Sequence, residues 1–282
     1  MELWVVFVLL YSIFKGVREP IKKKILEKHD TLSALFAYTF IGFLMTIPLA
    51  RDVFSIDGKT FFLIGLKSFV IFFAWMATFA SMKKLSVSFY SVMDLSRVIF
   101  STLMGVFFLN ESLTVKGVIS LILVVLGLYL ANRQKEKTET VTDNRYVWLI
   151  LISCILNAVS GVMDKYIMSL GTINSLQLQF WFMLMLSVMY CIYILAKRKK
   201  VDIVACAKNP YIYILSFLLI LGDRFLFTAN SYDSSQVTVM TLIKQSSAIV
   251  AILGGKIVYG EKIARKLWCA AIIIFGIVLA VI

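Results

Sequence analysis

The sequence predicts an all-α integral membrane protein, because its apolar content exceeds what a soluble domain can cover with polar residues. The chain has 282 residues, of which 60% are hydrophobic and 16% are charged, and its mean hydropathy is +0.89. Soluble domains are closer to half apolar and a quarter charged. Apolar surface in such excess must face lipid instead of water.

Ten apolar runs are long enough to cross a bilayer. About 20 apolar residues in a helix span the hydrocarbon core, where only helices or closed barrels satisfy every backbone group. The runs are continuous and do not alternate, which favours helices. The expected spans are residues 3–22, 31–50, 60–82, 86–109, 113–132, 146–168, 173–196, 210–231, 236–259 and 263–282.

The two halves of the chain resemble each other. An offset of 150 residues aligns seven identical residues in thirty positions, among them Ser96 with Ser246 and Glu111 with Glu261. The sequence therefore predicts a five-helix repeat at 1–132, a polar linker at 133–145 and a second five-helix repeat at 146–282. Because five is odd, the second repeat enters the membrane inverted, which is typical of secondary transporters with a substrate site at the repeat interface.

A family resemblance rests on two segments of the chain. In each, a pair of helices is joined by a hinge that ends in Glu. They read "SVSFYSVMDLSRVIFSTLMGVFFLNESLTVKGVISLILVVLGLYLA" and "SQVTVMTLIKQSSAIVAILGGKIVYGEKIARKLWCAAIIIFGIVLAVI". The chain resembles the EamA-type transporters of the drug/metabolite transporter superfamily over essentially its whole length. The resemblance implies a ten-helix, two-repeat fold and transport of amino acids, amines, sugars or other metabolites.

Positive charge is concentrated in alternate loops. The loops after spans one, three, five, seven and nine hold eighteen Lys and Arg residues, and the opposite side holds only Arg51, Lys59 and Lys116. The positive-inside rule then places the crowded side in the cytoplasm and both termini outside, in a multi-pass protein expected in the plasma membrane. Loop cations facing anionic lipid also account for the formal charge of +13 without any nucleic-acid partner.

Ionisable residues at membrane depth are costly to insert and mark the candidate substrate site. The offset of 150 aligns Asp94 with Lys244, and we expect this acid and base to pair or to compete for the charges of a substrate. A buried network that only fixes helix register is the structural alternative. The candidate substrate-binding residues are Asp94, Arg97, Lys244, Gln245, Lys67, Trp75, Tyr90, Asp223, Arg224 and Asn230.

A second group of charges lies near the ends of spans one and six. These candidate gating or coupling residues are Lys15, Arg18, Glu19 and Asp164. An offset of 145 aligns Glu19 with Asp164. The alternative is that these side chains snorkel to the membrane surface or pair with each other. Glu111 and Glu261 follow tight links between helices, and we interpret both as caps of the helices that follow them.

A secondary transporter that exports a small polar metabolite by alternating access accounts for these features best. The interior candidates comprise six cations and four anions, and this surplus of positive charge favours amino acids, carboxylates or phosphorylated metabolites. The alternative is a proton-coupled exporter of amines or lipophilic cations, which Asp94 and aromatic faces would hold. Oligomeric state and the coupling ion stay open.

An enzyme is the remote alternative. The only histidine, His29, lies in a polar connector, and the four cysteines have no metal-binding spacing. No serine–histidine pair suited to catalysis and no nucleotide-binding loop is present. We therefore expect no catalytic residue, no metal and no cofactor, although coupling to a proton or another ion is compatible with the sequence.

Overall fold

The computed structural model describes residues 2–50, 52–109, 115–133, 144–198 and 201–281. Of the residues it describes, 84% are helical and none lies in a strand. The first half has α1 Leu3–Leu26, α2 Thr31–Thr46, a 3₁₀ turn Ile47–Leu49, α3 Gly58–Lys84, α4 Val87–Asp94, α5 Arg97–Leu109 and α6 Val115–Arg133. The second half has α7 Asn144–Ser169, α8 Ser175–Ala196, α9 Ile203–Ala207, α10 Pro210–Asn230, α11 Val237–Lys244, α12 Ser247–Tyr259 and α13 Ala264–Val281.

Polar residues start several helices where the sequence breaks its apolar runs. Asp30 accepts hydrogen bonds from the amides of Leu32 and Ser33 at the start of α2. Asp57 accepts from Thr60 at the start of α3, and hydrogen bonds from the Thr60 side chain and amide hold the pKa of this carboxyl below its usual value. These caps satisfy amides that have no partner within the helix. They fix where the chain enters each helix.

Seven helical segments in the described part are long and apolar enough to cross a membrane. They are Thr31–Leu49, Gly58–Lys84, Val87–Phe108, Asn144–Ser169, Ser175–Ala196, Pro210–Asn230 and Val237–Tyr259. Helix α1 also occupies an expected span, but it carries six charged residues between Lys15 and Lys24. The chain is thus a multi-pass integral membrane protein, and the spans at α1, α6 and α13 stay predictions.

The helices are apolar outside and partly polar inside. On α3, Phe62, Phe69 and Phe73 are 69%, 54% and 46% exposed and share one face. Lys67 and Ser68, on the opposite side of the same helix, are buried at 1% and 0%. This pattern is the reverse of a soluble amphipathic helix and suits a helix with lipid outside and a polar cavity inside.

Two of the expected spans are broken where continuous helices were predicted. Span 86–109 divides into α4 and α5, and span 236–259 divides into α11 and α12. Each bound of the second broken helix lies 150 residues after the corresponding bound of the first. At both breaks the amides bond to carbonyls three residues earlier, as in Leu95 to Val92 and Gln245 to Leu242. A stretch of 3₁₀ geometry inside a helix often marks a hinge, and here it directly follows Asp94 and Lys244.

The interior lies between the two halves. The most extensive helix contacts pair α3 with α7, α1 with α10 and α12, α6 with α13, and α2 with α8. Every one of these pairs joins a helix of the first half to a helix of the second. The polar residues that point inward from either half therefore face each other.

Glu261 caps a helix in the opposite half of the chain. Its carboxylate accepts the amides of Val87 and Ser88 at 2.8 and 2.9 Å, at the start of α4, and also contacts the Ser88 hydroxyl. The prediction that Glu261 caps the helix after it is therefore wrong. The turn at Gly260, which has φ +65°, ends α12 and directs the carboxylate across the interface. Glu111 lies outside the described residues.

Gly16 allows α1 and α12 to pack in close contact. A Cβ atom at Gly16 would lie 2.5 Å from Val250 Cβ and 2.7 Å from the carbonyl oxygen of Ser247. We expect Gly16→Ala to destabilise the protein by about 1–3 kcal/mol, because the backbone oxygen cannot move aside without separating the helices. Thermal unfolding in detergent measures the effect.

Gly161 provides the matched control for this substitution. It aligns with Gly16 at the offset of 145 and lies within α7. No side-chain atom and no atom of a neighbouring segment would lie within 4 Å of a Cβ atom at Gly161. Gly161→Ala should leave the melting temperature unchanged or raise it, since alanine favours a helix over glycine. Equal shifts for both variants would contradict the packing role of Gly16.

Candidate functional site

A polar cavity lies at the interface between the halves. Its volume is about 110 Å³. Helices α1, α2, α3, α4, α5, α7, α8, α10 and α11 all contribute to its wall. The cations in the wall are Lys15, Arg18, Lys22, Lys67, Arg97 and Lys244, and the carboxylates are Glu19, Asp164 and Asp223. The cavity thus carries more positive than negative charge.

Helix α1 supplies four of these charged side chains from one stretch. Lys15, Arg18, Glu19 and Lys22 are 6–7% exposed and line the cavity together. Spacings of three and four residues place them on one helix face. The residues predicted for gating therefore share one cavity with the residues predicted for binding, and they do not snorkel to the surface. Lys22 and Glu19 pair within the helix at 2.9 Å.

Asp94 joins two of the cations from behind the cavity wall. One carboxylate oxygen lies 2.8 Å from Lys15 Nζ, and the other lies 2.6 Å from Arg97 Nη2. The expected pair of Asp94 with Lys244 is not formed, because α1 packs against α4, α11 and α12 and brings Lys15 to Asp94 instead. Asp94 thereby neutralises charge at the break between α4 and α5.

Lys67 is held in a closed cage. Its Nζ lies 2.7 Å from Asp164 Oδ1. The same ammonium lies 3.5 Å and 4.6 Å from the ring centroids of Phe182 and Phe227. Such cation–π contacts strengthen when they are removed from water. The cage connects α3 and α7, one from each half, to α8 and α10.

Asp223 is held less tightly. Among the described residues its ion-pair partner is Arg18, with Nη1 at 3.6 Å from Oδ1. Arg18 Nη1 also lies 3.4 Å from the Tyr38 hydroxyl, and its guanidinium carbon lies 5.7 Å from the centre of the Tyr11 ring. Among the carboxylates of the cavity wall, Asp223 therefore has the longest ion-pair contact.

Lys244 differs from the other cations of the cavity. It lines the cavity at the end of α11 and is partly buried. Within the described part of the chain, no carboxylate oxygen lies within 4.0 Å of its ammonium. A charge withdrawn from water without a counter-ion is expensive, and a ligand of opposite charge would remove that cost.

Two further polar atoms of the cavity wall lack partners among the described residues. They are Thr78 Oγ1 and Arg97 Nε, both buried. Buried polar atoms in folded proteins nearly always have a hydrogen-bond partner. Together with Lys244 they offer donors that a bound molecule can use.

The structure brings together most of the predicted site residues but not all. Trp75 and Tyr90 lie in the cavity wall. Gln245, Arg224 and Asn230 do not. Gln245 is 1% exposed, and its Nε2 has no hydrogen-bond partner among the described residues. The Nε and Nη2 atoms of Arg224 are likewise buried without such a partner. The backbone carbonyl of Asn230 accepts a hydrogen bond from Lys165.

Several residues that line the cavity were not predicted from the sequence. Lys22 is the last residue of the first expected span, where a lysine would be expected to reach the membrane surface. In the structure α1 continues past Pro20 to Leu26, so Lys22 lies within the helix. Tyr11, Tyr38, Phe182 and Phe227 resemble the other aromatic residues of apolar helices. Only their pairing with charged residues in space distinguishes them, and no spacing in the sequence gives that signal.

The described cysteine, histidine and acidic side chains do not converge on a metal site. No group of three or more of them in the described ranges is placed to hold a metal ion. Cys154, Cys191, Cys206 and Cys269 are free thiols.

Comparison with known proteins finds a family match in the first half of the chain. Residues 2–133 match the model of the EamA-like transporter family, which is part of the drug/metabolite transporter superfamily. No curated protein matches the sequence. A solved structure described only as "Crystal structure of protein" superposes with a TM-score of 0.69 at 12% identity, over 98% of this chain and 96% of that chain. That similarity concerns the fold alone.

Proposed function

We propose that the protein is a secondary transporter that exports a small polar metabolite carrying a carboxylate. Amino acids and organic acids are the substrate class. The match of residues 2–133 to the EamA-like transporter family supports transport as such. The observation that carries the choice of substrate is Lys244, a cation without a carboxylate partner among the described residues, in a cavity whose wall is already positive. A substrate anion would neutralise it.

Alternating access is the proposed mechanism. The support is the pair of broken helices with bounds 150 residues apart, whose breaks directly follow Asp94 and the cavity residue Lys244. Two five-helix halves that rock against each other at these breaks would expose the cavity to one side of the membrane at a time. The ion pairs that cross the interface, such as Lys67 with Asp164, would hold one of the two arrangements.

We also propose that both termini lie outside the cell. Contacts between the cation-rich loops support a single positive end of the molecule. Lys83 donates to the carbonyl of His29, the His29 ring lies 3.3 Å from the Asn209 side chain, and Lys24 donates to the Tyr211 hydroxyl. By the positive-inside rule this end faces the cytoplasm.

A second candidate function is export of an amine or a lipophilic cation coupled to protons. The observation in its favour is Asp223, whose only ion-pair contact among the described residues is with Arg18 at 3.6 Å. Asp223 shares the cavity wall with Trp75, Tyr38 and Phe79. An ammonium group could exchange with Arg18 at this carboxylate and lie against the rings. Asp94 is less suited to bind a substrate cation than the sequence suggested, because its carboxylate already forms ion pairs with Lys15 and Arg97.

Ligand-induced thermal stabilisation tests the choice between these functions. A ligand that binds the folded state raises its melting temperature. We expect amino acids or organic acids to stabilise the detergent-purified protein, and a stabilising compound to be taken up by proteoliposomes chemically unchanged. Stabilisation by lipophilic cations alone would replace the proposal with the second candidate, and chemical conversion of the compound would indicate an enzyme.

A further inference from the structure

A second pocket lies at the positive end of the molecule and is separate from the central cavity. It is formed by the end of α1, the link to α2, and the segment from α9 to the start of α10, and its volume is about 310 Å³. Lys24, Lys28, His29 and Lys208 are its titratable side chains besides Tyr211, and no carboxylate lines it among the described residues.

Two of these lysines are available to bind an anion. Lys28 and Lys208 are exposed, and neither makes an ion pair within the described residues. Lys24 is held in place, because its ammonium donates to the Tyr211 hydroxyl at 2.8 Å and lies 4.3 Å from the ring centroid of that residue. Three lysine side chains from two separate segments of the chain therefore line one pocket.

Three acidic residues lie near the pocket in the sequence, and two of them cap helices. Asp30 accepts the amides of Leu32 and Ser33 at the start of α2. Asp202 accepts the amide of Ala205 at 2.9 Å at the start of α9. Glu27 is exposed and is not part of the wall. Within the described residues, none of the three carboxylates forms an ion pair with a lysine of the pocket.

An exposed apolar stripe runs from the pocket along α10. Pro210 forms part of the pocket wall, and Tyr213, Ile214 and Phe217 follow it at helical spacing with 47%, 47% and 55% of their surface exposed. α10 is one of the segments long and apolar enough to cross the membrane. The stripe therefore faces lipid tails directly beside a site of positive charge.

We propose that this basic pocket binds the phosphate of an anionic phospholipid, with an acyl chain along the exposed stripe of α10. The charge of the pocket selects an anionic headgroup, and the stripe selects a lipid over a soluble phosphate. Basic pockets between membrane helices are suited to such headgroups. The site is independent of the transported substrate, since none of its residues lines the central cavity.

Lipid titration of the purified protein tests this site. Phosphatidylglycerol should raise the melting temperature more than equal amounts of phosphatidylcholine. Lys28→Ala combined with Lys208→Ala should weaken phosphatidylglycerol binding about thirtyfold, because each lysine near an anionic lipid contributes about one factor of five to binding. The melting temperature of this variant without lipid should equal that of the wild type, since the two lysines make no ion pair in the described part of the chain.

The matched control removes two lysines in the first turns of α3 and α6, on the opposite, cation-poor side. Lys59 and Lys116 are exposed as well, and the double alanine variant should keep the response to phosphatidylglycerol. An equal loss in both double variants, or equal effects of the two lipids, would overturn the proposal. Stabilisation by glycerol 3-phosphate or inorganic phosphate that matches phosphatidylglycerol would also overturn it, as it would assign the pocket to soluble phosphates. Lys244→Ala should keep the lipid response, which separates this site from the transport proposal.

Discussion

Lys244→Ala is expected to weaken binding of the transported anion about 10- to 100-fold. A hydrogen bond to a charged group contributes about 1.5–3 kcal/mol, and each 1.4 kcal/mol is about a factor of ten in affinity. Isothermal titration with the stabilising compound measures the binding loss, and proteoliposome uptake at a substrate concentration below saturation should fall by the same factor.

Lys244 is the best position for this test because the other cations of the cavity have partners. Lys15 and Arg97 share Asp94, Lys67 lies against Asp164, and removal of any of them takes a counter-ion from a carboxylate. Substitution of Lys244 breaks no ion pair among the described residues, so its effect on folding should be small. A change in binding then reports on the substrate and not on stability.

Two further variants complete the experiment. Lys244→Arg keeps the charge and should retain most of the affinity. Lys256→Ala removes an exposed lysine from α12 and should bind like the wild type. Unchanged affinity in Lys244→Ala would show that the substrate anion binds elsewhere, and an equal loss in Lys256→Ala would show a general effect of charge.

Helices and interior charges could be predicted from local features of the sequence. Apolar runs and polar caps depend on residues that are close in sequence. The start of α3 after Asp57 and the start of α10 at Asn209 could therefore be predicted from the sequence alone. Lys67 and Asp223 were recognisable because a charge within an apolar run has few alternatives to a polar interior.

The partners of those charges could not be predicted in the same way. The repeat offset places Asp94 and Lys244 at corresponding positions, but correspondence in a repeat does not require contact. The approach of α1 to the broken helices through Gly16 decides that Lys15 reaches Asp94. The cap that Glu261 provides to α4 depends on the same long-range packing. Such contacts depend on how the halves assemble, which local spacing does not specify.

Asp94→Asn is expected to destabilise the protein by about 3–5 kcal/mol, the usual cost of removing one partner from a buried ion pair. Asp94 is 4% exposed, and its carboxylate contacts both Lys15 and Arg97. The side-chain amide of asparagine has a similar shape to the carboxylate but no charge. Lys15 and Arg97 would therefore lose their counter-ion at membrane depth. Thermal unfolding in detergent, together with the amount of folded protein in the membrane, measures the loss.

Removal of one of the two cations tests the physical reason for this effect. Lys15→Met combined with Asp94→Asn should recover part of the lost stability, since only Arg97 then lacks its partner, whereas Asp94→Glu should be milder than Asp94→Asn because it keeps the charge. Asp233→Asn, at an exposed position, should leave the melting temperature unchanged. If Asp94→Asn melts like the wild type, the pairs with Lys15 and Arg97 add no net stability, and the charges at this break serve substrate binding or conformational change instead.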